Sequence, residues 1–339
     1  MPQPVIILGI ESSCDDTGAA VLRDGKILAN LVAGQKIHEQ YGGVVPELAS
    51  RAHQANIIPV VDAALKKAGI EKHQLSAVAY TKGPGLLGSL LVGSSFAKSF
   101  SSALQLPLIE VNHMQAHILA HFIDDANANG DRPEFPFLCL TVSGGHTQIV
   151  LMEDYFKLKV IGETLDDAAG EAFDKSAKIL GLPYPGGPLI DKFAKEGNPL
   201  AFKFSIPKIE ELNFSFSGFK TAVLYFVQKS KAEDPDFIEK NKNDICASVQ
   251  YTIVKILMEK LKQASLQTGI KQIAIAGGVS ANSGLRNALL ENKLGWKVFI
   301  PKFEYCTDNA AMIAMTGYLK YLKNDFADSK SAPMARMKM

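Results

Sequence analysis

Two histidines one helical turn apart carry the sharpest local chemical signal in this chain, in His113-Met114-Gln115-Ala116-His117. Residues four apart on an α-helix project from one face, so both imidazoles can reach a single cation. Zinc proteases use this spacing in HExxH, where the glutamate is the general base. Met114 holds that position here, so the binding geometry is present and the protease base is missing. The alternative reading is a pair of packed, hydrogen-bonded histidines. His121 continues the stripe about 12 Å along the helix axis from His113. One ion cannot easily join all three, so His121 is expected to pack or to support the others.

Acidic side chains form the second group. Glu11, Asp15 and Asp16 lie in the polar stretch 11–18. A carboxylate in a phosphate site ordinarily faces a divalent metal, because it would otherwise repel the phosphates. Asp174 sits in Phe173-Asp174-Lys175 inside a helical stretch, where a solvated face is the plain reading. Asp308, in Thr307-Asp308-Asn309, stands just before the last helix. By type and setting it is a helix N-cap. The rival role is a third ligand beside the histidine pair, since histidine with carboxylate suits zinc or iron.

Glycine turns form the third group: Ser143-Gly144-Gly145, Gly186-Gly187 and Gly277-Gly278. Backbone N–H groups hold phosphates best where no side chain blocks approach. None of the three matches the P-loop or GxGxxG, which argues against a Rossmann dinucleotide site. Together with the acidic turn they point to a bound nucleotide.

These groups need a scaffold. Strands are expected at 5–10, 19–22 and 26–32, the last two joined by an Asp24-Gly25 turn. Residues 38–68 read as helical, with Ala49, Ala52, His53, Ile57, Val60, Val61, Ala64 and Leu65 at 3–4 spacing. A strand at 77–81, a helix at 87–104 and a strand at 108–111 lead to the histidine helix. Residues 124–136, with Asn, Asp, Gly and two prolines, read as a linker. The opening pattern then returns as strand 137–142, turn 143–146 and strand 147–152. Two related lobes, each opened by a β-hairpin, explain this. Helix 168–180, a Pro/Gly loop at 183–188, helix 245–268, strands at 272–276 and 298–300, and helix 309–322 complete the chain.

Composition sets bounds. With 339 residues, the chain fits two lobes of roughly 150 residues each. A net charge of +1 gives no global basic field, which argues only weakly against RNA because a local basic face can serve. The apolar run before Gly9 is too short for a signal peptide and has no basic stretch. No window approaches the roughly 20 apolar residues of a membrane span. Cys14, Cys139, Cys246 and Cys306 are widely spaced without CxxC, as in a reduced cytoplasmic protein.

In combination these residues resemble one family, the tRNA N6-adenosine threonylcarbamoyltransferases, formerly described as O-sialoglycoprotein endopeptidases. The bacterial type is the better match and the mitochondrial type is similar. The resemblance rests on Gly9-Ile10-Glu11-Ser12-Ser13-Cys14-Asp15-Asp16-Thr17, Gly42-Gly43-Val44-Val45-Pro46-Glu47 and Lys82-Gly83-Pro84-Gly85-Leu86. It continues through Asn112-His113 and His117, Val142-Ser143-Gly144-Gly145-His146-Thr147, and Asp166-Asp167-Ala168-Ala169-Gly170-Glu171-Ala172-Phe173-Asp174-Lys175. Tyr184-Pro185-Gly186-Gly187, Phe214-Ser215-Phe216-Ser217-Gly218, Gly277-Gly278-Val279-Ser280-Ala281-Asn282 and Asp308-Asn309-Ala310-Ala311-Met312 complete it. One departure is visible: the family commonly has Glu-Gly where this chain has Gln115-Ala116.

The resemblance implies an α/β actin-like ATPase (ASKHA) fold, two ribonuclease-H-like lobes with a cleft between them. The lobes would be residues 1–125 with 308–325, and 135–307; residues 326–339 are expected to be disordered. It implies transfer of a threonylcarbamoyl group from threonylcarbamoyl-AMP to N6 of the adenosine at position 37 of tRNAs that read codons starting with A. Carried over, His113, His117 and Asp308 hold one Fe(2+) or Zn(2+) per subunit. Thr141, Val142, Ser143, Gly144, Gly145, Asp174, Gly187, Asp191 and Asn282 contact the nucleotide or adenylate. Glu11, Asp15 and Asp16 line a phosphate turn, with Mg(2+) accompanying bound nucleotide. The implied partners are tRNA, a paralogous actin-fold subunit and a small P-loop ATPase, or a second copy of the chain, with no membrane. The rival activities are a metalloprotease and an actin-fold small-molecule kinase.

Overall fold

The computed structural model describes residues 3–339 apart from 125, 128, 129, 207, 208 and 329. It divides into two compact units, Met1–Arg132 with Pro301–Met339, and Pro133–Ile300. The expected lobe end at 125, part of the linker 124–136 and one residue of the expected disordered tail lie outside the described residues. The first unit resumes at Pro301, ahead of the expected 308, because Lys302 N–H donates to the Ala126 carbonyl and Asn127 bridges to Pro301.

The first unit is built on β1 (Ile6–Glu11), β2 (Thr17–Arg23), β3 (Lys26–Ala33), β4 (Ala77–Gly83) and β5 (Leu108–Asn112), in the order β3-β2-β1-β4-β5. β1 to β3 form an antiparallel meander, and β4 and β5 run parallel to β1. Every residue of β1 is buried, as in a central strand covered on both faces. On one face lie α1 (Pro46–Ala68) and α2 (Leu87–Leu104). α1 begins at Pro46, not at 38, because Gly42 takes a left-handed φ of 66° and breaks the run before it. α3 (His113–Leu119) follows β5 directly, and α9 (Ala310–Leu322) packs on β1, β2 and β4.

The second unit repeats the plan with β6 (Phe137–Val142), β7 (Thr147–Asp154), β8 (Lys157–Glu163), β9 (Gln272–Ala276) and β10 (Lys297–Phe299). Its order, β8-β7-β6-β9-β10, is the same topology with the same mixture of antiparallel and parallel pairs. The two hairpins expected from the sequence are therefore equivalent parts of equivalent sheets. The core gathers α4 (Ala169–Ile179), α5 (Gly186–Ala194), α6 (Ser217–Glu233), α7 (Phe237–Thr268) and α8 (Ser283–Leu290). β8, α5, α6 and α8 go beyond the sequence reading, and α7 starts earlier than 245. The expected loop at 183–188 runs into α5, whose first turn is Gly186-Gly187-Pro188.

Where disorder was expected, Ala327, Ser331, Met334, Ala335 and Lys338 make hydrogen bonds to the rest of the first unit. Among the described residues no helix is long and apolar enough to cross a membrane, and no disulfide links the four cysteines.

Candidate functional site

Asn112 ends β5 and caps α3, its Oδ1 accepting from the Gln115 N–H at 3.1 Å. His113 and His117 then lie one turn apart with ring centroids 4.7 Å apart, edge to face. Both are buried. Each presents Nε2 to the same Asp308 oxygen, at 3.3 Å from His113 and 3.2 Å from His117. Asp308 does not cap α9. Asn309 does, accepting from the Met312 N–H at 3.0 Å, which leaves the Asp308 carboxylate for the histidines.

These three side chains form a group that could hold a metal ion. Two imidazoles and a carboxylate are a donor set suited to zinc or ferrous iron. The 3.2 and 3.3 Å donor spacings approach the roughly 3.4 Å edge of a tetrahedron with metal–ligand bonds of about 2.1 Å. The residues present therefore fit the ion.

Glu11 is the last residue of β1. It is 1% exposed, and its carboxylate accepts from the Ser13 N–H at 2.5 Å and the Thr81 hydroxyl at 2.7 Å. It also faces His113 Nδ1 at 3.1 Å, with Ser13 Oγ 3.2 Å from the same nitrogen. Burial pushes Glu11 up, but the charge and hydrogen bond of His113 more than offset it, and its acidity is strengthened. Burial opposes charge on His113, yet Asp308 and Glu11 overcome it and hold the ring protonated well above the usual histidine range. Burial dominates at His117 and lowers its pKa. Asp308, between both rings, is pushed down by them against its own burial. When a cation takes the place of the Nε2 proton, the carboxylate on Nδ1 would keep the proton there and leave Nε2 as the ligand atom, a common arrangement behind metal-binding histidines.

His53 supports the turn from α1. Its Nδ1 lies 2.8 Å from the Thr17 hydroxyl and its Nε2 3.0 Å from the Cys14 carbonyl. In the sequence His53 was a polar residue on an apolar helical face, while Glu11 and Ser13 lay in the polar stretch 11–18 with no local pattern pointing to His113.

Burial and the charges of Asp15, Asp308 and Glu11 push the Asp16 carboxyl up to about 7. The folded state therefore keeps a proton that the unfolded chain loses near pH 4, and stability falls as pH rises through the window from about 4 to 7. Asp16→Asn removes that loss. Urea midpoints are expected to rise in the variant more at pH 8 than at pH 5; equal gains at both values would contradict this electrostatic picture.

The second unit gathers the expected nucleotide residues. Thr141 and Val142 end β6, both fully buried. Ser143 N–H donates to the His146 carbonyl, and the Ser143 carbonyl accepts from Gly170 N–H at the start of α4. Gly277 lies against Val142, where a Cβ would come 2.5 Å from its carbonyl oxygen, whereas Gly144, Gly145 and Gly278 face open space. Asp174 Oδ1 accepts from Gly186 N–H at 2.9 Å and Gly187 N–H at 3.0 Å, so it caps α5 and is no solvated-face residue. Burial raises the Asp174 pKa in spite of those bonds. Asp191 Oδ1 accepts from the Ser283 N–H and hydroxyl, and Asn282 caps α8 while donating to Gln250. Glu11 joins the histidine group and Asp16 feels the charges of Asp308 and Glu11, whereas residues 141–145, 174, 187, 191 and 282 belong to the second unit.

Residues 26–315 match the family described as TsaD, tRNA N6-adenosine threonylcarbamoyltransferase. A protein of that name from Christiangramia forsetii is 69% identical over 338 residues, covering 99% of each chain. One from Cytophaga hutchinsonii is 62% identical over 337 residues, covering 99% of this chain and 97% of its own. Among solved structures, the HypF of T. kodakarensis covers 98% of this chain and 50% of its own, with TM-score 0.63 and 13% identity. Component A of the Acidaminococcus fermentans (R)-2-hydroxyglutaryl-CoA dehydratase covers 94% and 99%, with TM-score 0.53 and 17% identity. These two likenesses speak to fold alone, and the fold is the α/β actin-like one.

Proposed function

This chain belongs to the tRNA N6-adenosine threonylcarbamoyltransferase family, and we propose that its acyl transfer is metal-assisted, with His113, His117 and Asp308 as the ligands. The chain is an enzyme of tRNA modification that transfers a threonylcarbamoyl group to N6 of adenosine. The observation that carries the metal reading is the convergence of two histidine Nε2 atoms on one Asp308 oxygen.

The donor in this reading is threonylcarbamoyl-AMP and the acceptor is adenosine 37 of tRNAs that read codons starting with A. A mixed carbonic–phosphoric anhydride already carries a good leaving group, so the protein's task is to place a weakly nucleophilic exocyclic amine and stabilise the developing oxyanion. His113, His117 and Asp308 would hold Fe(2+) or Zn(2+), which when bound would supply Lewis acidity to the donor. Glu11 and Ser13 fix the His113 ring from its Nδ1 side. The open backbone at Gly144, Gly145 and Gly278 suits approach of the adenylate. The carboxylates of Asp174 and Asp191, the latter also 3.9 Å from Lys195 Nζ, suit sugar hydroxyls, and Gly187 and Asn282 belong to the same unit. Asp15 and Asp16 add to the negative field that a cation relieves, and Mg(2+) would accompany a nucleotide. The proposal includes a cytoplasmic setting and a partnership with a paralogous actin-fold subunit and a small P-loop ATPase, or self-association.

A protease reading lacks its base, because Met114 is an apolar residue 3% exposed. A kinase reading leaves the histidine pair without purpose. The test is mass spectrometry of tRNA nucleosides after depletion and restoration of the gene. Threonylcarbamoyladenosine should fall to background on depletion and return on restoration; an unchanged level would refute the activity.

A further inference from the structure

The histidine helix is braced by a segment far from it in sequence. The contacts of Ala327, Ser331 and Lys338 step along β5 in its own direction. Ala327 N–H donates to the Leu108 carbonyl at 2.7 Å, the Ser331 hydroxyl bonds Glu110, and the Lys338 carbonyl accepts from Asn112 Nδ2 at 3.1 Å. Lys98 Nζ holds the Ser331 carbonyl. From β4, the Lys82 carbonyl accepts from Met334 N–H at 2.8 Å, and Gly85 N–H donates to the Ala335 carbonyl at 3.2 Å.

Two routes lead from this segment to His113. The first is Asn112, which precedes His113 in the chain. With its Nδ2 donating to Lys338, its Oδ1 is turned to the Gln115 N–H, which sets the first turn of α3. The second is the turn Gly83-Pro84-Gly85. A Cβ on Gly83 would collide with the Met334 carbonyl, and one on Gly85 with the Ser13 carbonyl. The turn is therefore pressed between the segment and Ser13, whose hydroxyl touches His113 Nδ1. Leu86 N–H ties the same turn to Ser13 at 2.7 Å.

We propose that residues 331–339 are a positioning strap for the metal helix, acting on His113 through the Asn112 amide and through Ser13. The contacts made to Lys82, Gly85 and Asn112 are backbone ones on the strap's side, so its sequence need show no apolar periodicity. The inference rests on the metal reading for its functional meaning, but its structural content is separate. Groups that orient metal ligands typically change metal affinity about 10–100-fold when removed.

The experiment uses the full chain and Zn(2+) as probe, titrated against a competing chelator. Asn112→Ser keeps an oxygen that can cap α3 and removes the donor to Lys338. Its zinc affinity is expected to fall about tenfold. Amide hydrogen exchange at residues 115–119 of the metal-free protein should quicken. A chain lacking residues 331–339 should behave alike, and a synthetic peptide of those residues added in trans should restore both readouts. Lys338→Ala should change neither, since only the Lys338 carbonyl is used. Wild-type affinity and exchange in Asn112→Ser would overturn the strap, and that variant decides the question if the shortened chain does not fold. If the parent protein binds no zinc, the metal reading fails by itself, while the exchange rates still judge the strap.

Discussion

Replacing His113 by alanine is expected to abolish metal retention and to lower transfer from synthetic threonylcarbamoyl-AMP to tRNA by at least about a hundredfold, beyond what loss of a merely orienting neighbour costs. Two consequences are mixed in that variant. One is the loss of a ligand. The other is electrostatic, because the His113 ring stands between Glu11 and Asp308, at 3.1 and 3.3 Å. Removing one member of a buried charge cluster commonly costs about 3–5 kcal/mol, so His113→Ala should also melt earlier. His117→Ala separates the two effects. Burial favours its neutral ring, and its Nδ1 is buried with no hydrogen-bond partner among the described residues. That variant should lose metal and transfer to a similar degree with a smaller drop in thermal midpoint. Rates are compared per folded molecule, and metal is measured by elemental analysis of protein prepared without added zinc. Transfer at the normal rate in either variant would sink the metal's role.

The legibility of this site in the sequence depended on distance along the chain. His113 and His117 are a local pattern, and helix geometry alone puts them on one face. Asp308 is 191 residues from His117, and its type and setting argued for a cap. Asn309 beside it has equal capping ability and takes that role, a choice made by the packing of α9 rather than by propensity. Glu11 was legible as a polar residue at a strand end, but its place under His113 needs β1 and β5 to lie on either side of β4, which no local pattern states. The two hairpins were legible because alternate turns and apolar runs recur. β8 was not, since its exposed Lys157 and Lys159 hide an edge strand within a polar stretch. α5 was hidden because Gly186-Gly187-Pro188 has the composition of a turn, although glycine and proline are tolerated in a first helical turn. The strap at 331–339 carries no periodic signal, since it meets Lys82, Gly85, Lys98 and Asn112 with its own backbone groups.

Gly9→Ala is expected to be the most damaging change outside the ligands. Asp308 reaches the histidines only if α9 sits close on β1, and that approach is made by small residues. A Cβ at Gly9 would come 2.6 Å from both the Ala310 carbonyl oxygen and the Ala314 amide nitrogen, and 2.8 Å from the Ala314 side chain. Gly18 on β2 faces Ala310 at 3.1 Å in the same sense. Neither neighbour is a flexible side-chain end, so the helix itself must move. Overpacking of this kind typically costs about 1–3 kcal/mol, and displacement of α9 carries Asp308 with it. The variant should therefore melt several degrees lower and bind zinc more weakly. Gly9→Ala combined with Ala314→Gly distinguishes steric displacement from altered backbone preference. The second change removes one of the three collisions and leaves the backbone ones, so it should recover part of the zinc affinity, although glycine in a helix itself costs about 1 kcal/mol. A positive coupling between the two sites in a double-mutant cycle supports the close-approach account. Gly9→Ala with parental melting and zinc affinity would show that β1 and α9 tolerate a wider spacing, and that Asp308 is held in place by something other than their contact.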